Sequence, residues 1–279
     1  MSATGLKLAG RRHLLPGLRL SLAFTLFYLT GIVLVPLLAL LLRPLSMGVD
    51  GFWAAIWTPR VLAALRLSFG MAFLAAAIDA VFGFVIAWVL VRYRFPGKTI
   101  LDAVIDLPFA LPTAVAGIAL STLYAPNGWA GALLAEFGIR IAYTPWGVLV
   151  AMTFIGLPFT VRTLEPALHD VGLDVEEAAA TLGANRVQTI LRVVLPMLLP
   201  SLLTGTAMAF ARGVGEYGSI IFIAGNIPAL SEIAPLLIVT KLEEFDYAGA
   251  AAIGVVMLMA SFGMLLALNG LQGWAAKRR

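Results

Sequence analysis

Cysteine is absent from these 279 residues, which excludes disulfides, thiol nucleophiles and cysteine-ligated metals. Histidine occurs twice, at His13 and His169, which is no basis for a histidine-built metal site. Charge is also scarce: 12% of the residues are Asp, Glu, Lys or Arg, against 61% hydrophobic. A soluble domain of this length cannot hide so much apolar surface, whereas runs of about 20 uncharged apolar residues are what a bilayer demands. No separate soluble domain, low-complexity tail or internal repeat stands out. The net charge of +4 does not point to nucleic acid, because the basic residues sit at the ends of apolar runs rather than on one patch. The expected surroundings are a lipid bilayer.

The apolar runs predict six spans, at about 18–42, 65–91, 101–124, 146–164, 198–223 and 248–271, within one all-α transmembrane domain over 1–279. The basic N-terminal stretch (Lys7, Arg11, Arg12) resembles the start of a signal peptide. The apolar run after it is too long and ends at Arg43-Pro44 without a small-residue cleavage pattern, so it reads as a retained first span. Placing both termini and the 2–3 and 4–5 loops on one side collects Lys7, Arg11, Arg12, Arg19, Arg92, Arg94, Lys98, Arg162, Arg186, Arg192, Lys277, Arg278 and Arg279 there. The other side keeps Arg43, Arg60, Arg140 and Lys241. This asymmetry predicts cytoplasmic termini and a cytoplasmic loop at 165–197.

That loop is the most informative stretch. It is polar, lies between two apolar runs, and reads as a short helix, a sharp turn and a second helix. Asp174 and Glu177 have capping-box spacing. Ala178, Ala179 and Ala180 favour helix. Gly183 suits a left-handed stop, and Asn185 opens the next helix. Glu177-Ala178-Ala179, Gly183 and Val193-x-Leu195-Pro196 resemble the EAA loop (E-A-A-x3-G-x9-I-x-L-P) of permease subunits of ATP-binding-cassette importers, with Val193 in place of Ile. The resemblance implies that Asp174, Glu176, Glu177, Ala178, Ala179, Gly183 and Pro196 belong to a coupling helix that enters a groove on a separate ATPase.

Two soluble-enzyme motifs fail. Gly97-Lys98-Thr99 ends like a phosphate-binding loop, but position 92, where the first glycine belongs, is Arg. Gly213-Val214-Gly215-Glu216-Tyr217-Gly218 spells G-x-G-x-x-G inside an apolar run with no preceding strand, so its small residues read as close packing or local helix distortion. The chain itself is expected to be no enzyme and to hold no cofactor.

Charges inside spans are expensive. Asp79 and Arg212 each lie about a dozen residues from a cytoplasmic span end, roughly 18 Å deep. Glu216 follows Arg212 by four, on the same face of a helix. Two readings stand open: an internal pair of Arg212 with Glu216 or Asp79, or an Arg212 that faces a pathway and meets an anion. Pro108 and Pro112 interrupt the third span, either as structural kinks or as the lining of a cavity. Between spans five and six, Ile233, Leu236, Leu237 and Thr240 predict a surface helix at the outer mouth. With Glu232, Lys241, Glu243, Glu244 and Asp246 this stretch carries a net −3. An anionic rim does not attract an anion from solution, which favours delivery by a binding protein.

Three further passages carry a finer resemblance: 107–117, 215–226, and 236–250. With the EAA-like loop they are similar to the T-type permeases of sulfate/thiosulfate importers and, more loosely, to molybdate permeases, in which Phe is usual where this chain has Tyr217. The resemblance implies a MetI-like fold of six transmembrane helices. It implies a homologous W-type permease, two ATPase subunits that bind ATP and Mg, and a periplasmic sulfate/thiosulfate-binding protein. Candidate pathway residues are Arg212, Glu216, Tyr217, Ser219, Asn226, Pro108, Pro112 and Thr113. A molybdate or tungstate permease is the alternative within the class. A proton-coupled anion carrier using Asp79, Arg212 and Glu216 is the alternative outside it, and such a carrier needs no ATPase socket.

Overall fold

The computed structural model describes residues 18–277, and among them every regular element is helical. The charges expected at Lys7, Arg11, Arg12, Arg278 and Arg279 lie outside the described residues, as do the side chains of Arg19 and Lys277. The elements in order are α1 (Leu20–Ile56), α2 (Pro59–Arg92), α3 (Lys98–Ala110), α4 (Thr113–Tyr124), α5 (Trp129–Glu136) and α6 (Pro145–Asp170). Then follow α7 (Leu173–Thr181), α8 (Arg186–Val214), α9 (Ile220–Ile223), α10 (Ala234–Glu243) and α11 (Tyr247–Lys277). Five of these helices are long and apolar enough to cross a membrane, and the bent pair α3–α4 brings the number to six.

The core is the mutual packing of α2, α6 and α8. Small residues let these helices approach closely, as expected where lipid supplies no hydrophobic drive. Gly83 of α2 and Gly205 of α8 both press on Thr160 of α6, Gly213 meets Ala72, and Gly156 meets Asp79 and Ala209. Helix α1 buries none of its most apolar window, whereas its C-terminal part packs inward through Pro44, Met47, Phe52 and Ile56. It contains a π-helical segment, Thr30–Leu34, two residues before Pro36. The same arrangement recurs at Ile190–Val194 before Pro196 in α8. A proline has no N–H and crowds the carbonyl four residues back, and the wider π turn absorbs both effects.

Two expected spans differ in form. The third is not one helix kinked at two prolines. Pro108 stays within α3, Leu111 takes the extended conformation favoured before a proline, and Pro112 caps α4 after a bend of 115°. The fifth ends early: α8 stops at Val214, and residues 215–219 are irregular before the short α9. The bent pair is held against this break. A Cβ on Gly117 would overlap the backbone of Ser219, and one on Gly218 would overlap the Thr113 hydroxyl. We expect Gly117→Ala to destabilise the protein by about 1–3 kcal/mol, because the obstruction is main chain and cannot rotate away. Gly31→Ala, in a helix with open space around it, is the control expected to be neutral. Thermal denaturation in detergent, followed by tryptophan fluorescence, checks both.

Candidate functional site

The 165–197 loop forms the helix–turn–helix that its sequence predicts, with different capping. Helix α7 begins at Leu173 with Gly172 as its N-cap and no side-chain cap. Asp174 therefore lies inside the first turn, and the Asp174–Glu177 capping box does not form. The box lies one helix later, where Asn185 Oδ1 accepts from Gln188 N at 2.9 Å and Gln188 Oε1 accepts from Asn185 N at 3.0 Å. Gly183 has φ +83°, and the amides of Ala184 and Gly183 close back on the carbonyls of Ala179 and Ala180, a Schellman stop.

Only one side of α7 is covered: Val171, just ahead of it, and Ala179 are buried, and Val175 packs on the same cluster of Leu164, Leu168 and Val194. Glu177 and Ala178 face outward, and Leu182 at the tip of the turn is 88% exposed; Leu173 at the start of α7 and Val187 after the turn are exposed too. Leu182 is thus presented at a turn held by a left-handed glycine and is covered by none of the described residues. Glu176 instead turns inward and accepts from Arg92 Nε at 2.7 Å. Pro196 follows the π segment of α8 and is part of the helix entry rather than of the exposed surface of α7.

The second polar feature lies where α8 ends. Arg212 Nη1 is 2.5 Å from Glu216 Oε2, and Glu216 Oε1 accepts from both the amide and the hydroxyl of Ser219 at 2.9 Å. Glu216 is 2% exposed, whereas Arg212 keeps a third of its side chain open. Glu216 lies beyond the helix end, not on a continuous helix face, and reaches Arg212 because the chain turns back at Gly215. Asp79 is not the partner of Arg212. It is fully enclosed beside Gly156, and neither carboxylate oxygen has a hydrogen-bond partner among the described residues.

The remaining candidates separate. Thr113 lies against the 215–219 segment through Gly218, and Pro112 is the N-cap of α4 immediately before it. Tyr217 is partly buried in the central cluster. Ser219 is fully buried and committed to Glu216, so it does not line an open surface in this conformation. Asn226 donates to the Ile221 carbonyl at 2.9 Å with φ +54°, closing the turn after α9 away from Arg212. Pro108 remains inside α3, apart from the bend.

Besides the Arg92–Glu176 bond, further ion pairs escaped sequence reading. Arg162 binds Asp106 through two nitrogens at 2.7 and 2.6 Å, Asp102 at 2.7 Å and Glu165 at 2.6 Å, joining α3 to α6. Asp102 and Asp106 keep 45% and 49% of their side chains exposed. At the start of α2, Arg60 grips Glu232 with two bonds of 2.7 Å. Glu232 is 3% exposed and already neutralised, so it does not belong to the anionic rim counted from sequence. Lys241 bridges Glu244 and Asp246, and its hydrogen bond to Glu244 holds its ammonium above the usual lysine range. Partners 56, 60 or 172 residues apart leave no mark in a local pattern; only the i,i+3 spacings 162–165 and 241–244 were available.

An apolar helical bundle with one exposed two-helix turn and a charged break in a central span defines a membrane transport subunit. Residues 79–279 match the family of binding-protein-dependent transport system inner membrane components, and the chain belongs to that family. It is a multi-pass inner-membrane permease of the ATP-binding-cassette importer class, whose members work with an ATPase and a substrate-binding protein.

The chain is 50% identical over 254 residues to the sulfate transport system permease protein CysT of Synechococcus elongatus, covering 91% of each chain. It is 48% identical over 267 residues to CysT of Escherichia coli K12, covering 96% of each. Among solved structures it resembles a chain of a bacterial alginate ABC transporter in complex with an alginate-bound periplasmic protein. The TM-score is 0.76 at 17% identity, over 91% of this chain and 93% of that one. It also resembles a chain of the MetNI methionine ABC transporter, with a TM-score of 0.58 at 17% identity over 77% and 95%. These two likenesses concern the fold.

Proposed function

We propose that this chain is one half of the membrane pathway of an ATP-driven importer of sulfate, with thiosulfate as a second substrate. Its companions are a homologous W-type permease, two ATPase subunits that bind ATP and Mg, and a periplasmic sulfate/thiosulfate-binding protein; this chain holds no cofactor. Near half-identity to permeases named for sulfate favours sulfate over molybdate or tungstate. The observation that carries the reading is Arg212: a guanidinium at a break in a central span, braced by a buried carboxylate and one-third open. An anion passing such a group gains a charge-assisted contact, while Glu216 keeps the contact weak enough to release. In this reading α7 and the 182–187 turn enter the ATPase, both termini are cytoplasmic, and Arg212 and Thr113 border the route.

The test is ATP-driven uptake by vesicles holding the whole complex, with labelled sulfate challenged by thiosulfate and molybdate. Competition by thiosulfate and not molybdate is expected. Uptake that follows an imposed proton gradient without ATP would favour a secondary carrier instead.

Orientation has its own test, simplified by the absence of native cysteine. A cysteine at Asn127 or Leu230, both exposed, should react with an impermeant thiol reagent applied outside, and one at Asn185 should not. Ser231 is unsuitable because it is fully buried and its hydroxyl accepts from Ile227 N. Labelling at Asn185 alone would reverse the topology.

A further inference from the structure

The coupling surface of α7 has to be tied to the spans that move. Its near backbone neighbours are the first turns of α8, to which it is joined by the Gly183 turn. Toward α2 it does not pack flush: a cavity of about 350 Å³ opens between them, lined by Trp88, Arg92, Glu176, Ala180, Arg186 and Ile190 among others. Across this gap reaches Arg92, the last residue of α2. Its Nε donates to Glu176 at 2.7 Å, its Nη2 donates to the Val171 carbonyl at 2.5 Å, and its guanidinium lies 5.6 Å from the centre of the Trp88 ring. The side chain is 9% exposed, so this is a desolvated contact and not a solvent-washed surface pair.

We propose that Arg92 is a positioning residue for energy coupling: it fastens the coupling helix to α2, so that displacement of α7 by the ATPase moves α2 and α8 together. This rests on the reading of α7 as the ATPase-docking element. Three features support the assignment. The carbonyl of Val171 marks the hinge between α6 and α7, and Glu176 lies in the first turns of α7, so one guanidinium spans the hinge and the helix that follows it. Glu176 is turned inward by this bond, while Glu177 is left outward for the partner. Apolar contact between α7 and α2 is confined to the cluster that Val175 shares with Ala87 and Leu90, and beside it, across the cavity, a fixed planar fork is the side chain that can hold two acceptors at once.

The experiment compares complexes carrying wild-type permease, Arg92→Gln and Arg92→Lys in proteoliposomes loaded with the binding protein and substrate. The reading is the number of anions taken up per ATP hydrolysed. Arg92→Gln is expected to purify with the ATPase and to keep basal ATP turnover within about twofold, while anions moved per ATP fall about tenfold. Arg92→Lys keeps a charge for Glu176 but loses the second acceptor, and should fall between the two. An unchanged ratio in Arg92→Gln overturns the proposal. So does failure of Arg92→Gln to retain the ATPase, or a parallel fall of uptake and turnover, because either makes Arg92 a folding residue. If the wild-type complex carries an anion other than sulfate, the sulfate reading fails, and the ratio measured with that anion still decides the role of Arg92.

Discussion

Replacing Arg212 and Glu216 together by leucine should leave the permease folded and assembled but unable to move sulfate. The single replacements behave differently. Glu216→Leu strands a partly buried guanidinium and removes the acceptor of the Ser219 amide and hydroxyl, whereas Arg212→Leu strands a carboxylate that is 2% exposed. Breaking one side of such a pair costs about 3–5 kcal/mol, so both singles should reduce the yield of assembled complex. The double variant removes both charges and strands no ion; it still leaves the buried Ser219 amide and hydroxyl without their acceptor, so its yield should recover most, not all, of the loss. If Arg212 serves only to balance Glu216, uptake returns with assembly. If it meets the anion, uptake stays about 100-fold or more below wild type while yield recovers, since a lost charge-assisted contact has no substitute in an apolar span. Wild-type uptake by the double variant would reduce the pair to a structural role.

Charge reversal at Glu177 is the second large effect. Its side chain is exposed, and the capping box that would have tied it to the fold of the loop does not exist. Glu177→Lys should therefore leave the melting temperature of the isolated permease unchanged while most ATPase is lost from the purified complex. Gly183→Val acts on the same surface by another route. With φ at +83°, a β-branched residue there costs about 1–2 kcal/mol or forces the turn open, displacing Leu182. Copurification of the ATPase subunit with the tagged permease measures both. Full retention by both variants, with full transport, would remove the docking assignment.

What the sequence disclosed follows from the range of the forces involved. Gly183, Asn185 and the spans were legible because backbone conformation and hydropathy are written locally. The capping box was misplaced by one helix because Asp-x-x-Glu and Asn-x-x-Gln both fit the pattern, and the choice depends on where α7 starts. Packing of Val175 on the core and burial of Ala179, together with the Arg92–Glu176 bond, accompany that start. The bend at Pro112 was half visible: a residue before proline avoids helix, but Pro108 obeys no such break because α3 carries it in its interior. The Arg162 cluster and the Arg92 tie were invisible for one reason, that each joins elements far apart in the chain.

The half-open carboxylates of Asp102 and Asp106 bear on the fate of the chain when it is made alone. Each lies on α3, within about 6–12 Å of its start along the helix axis. Together with Arg162 and Glu165 they leave that face with two surplus negative charges. Hydrocarbon is a poor neighbour for such a face, at about 2.5–3.5 kcal/mol for each exposed ion. A permease synthesised without companion subunits leaves this face, and the open side of Arg212, uncovered by protein. The orphan chain is therefore expected to be shorter-lived in the cell than the assembled one, which a pulse-chase with and without co-expressed partners measures.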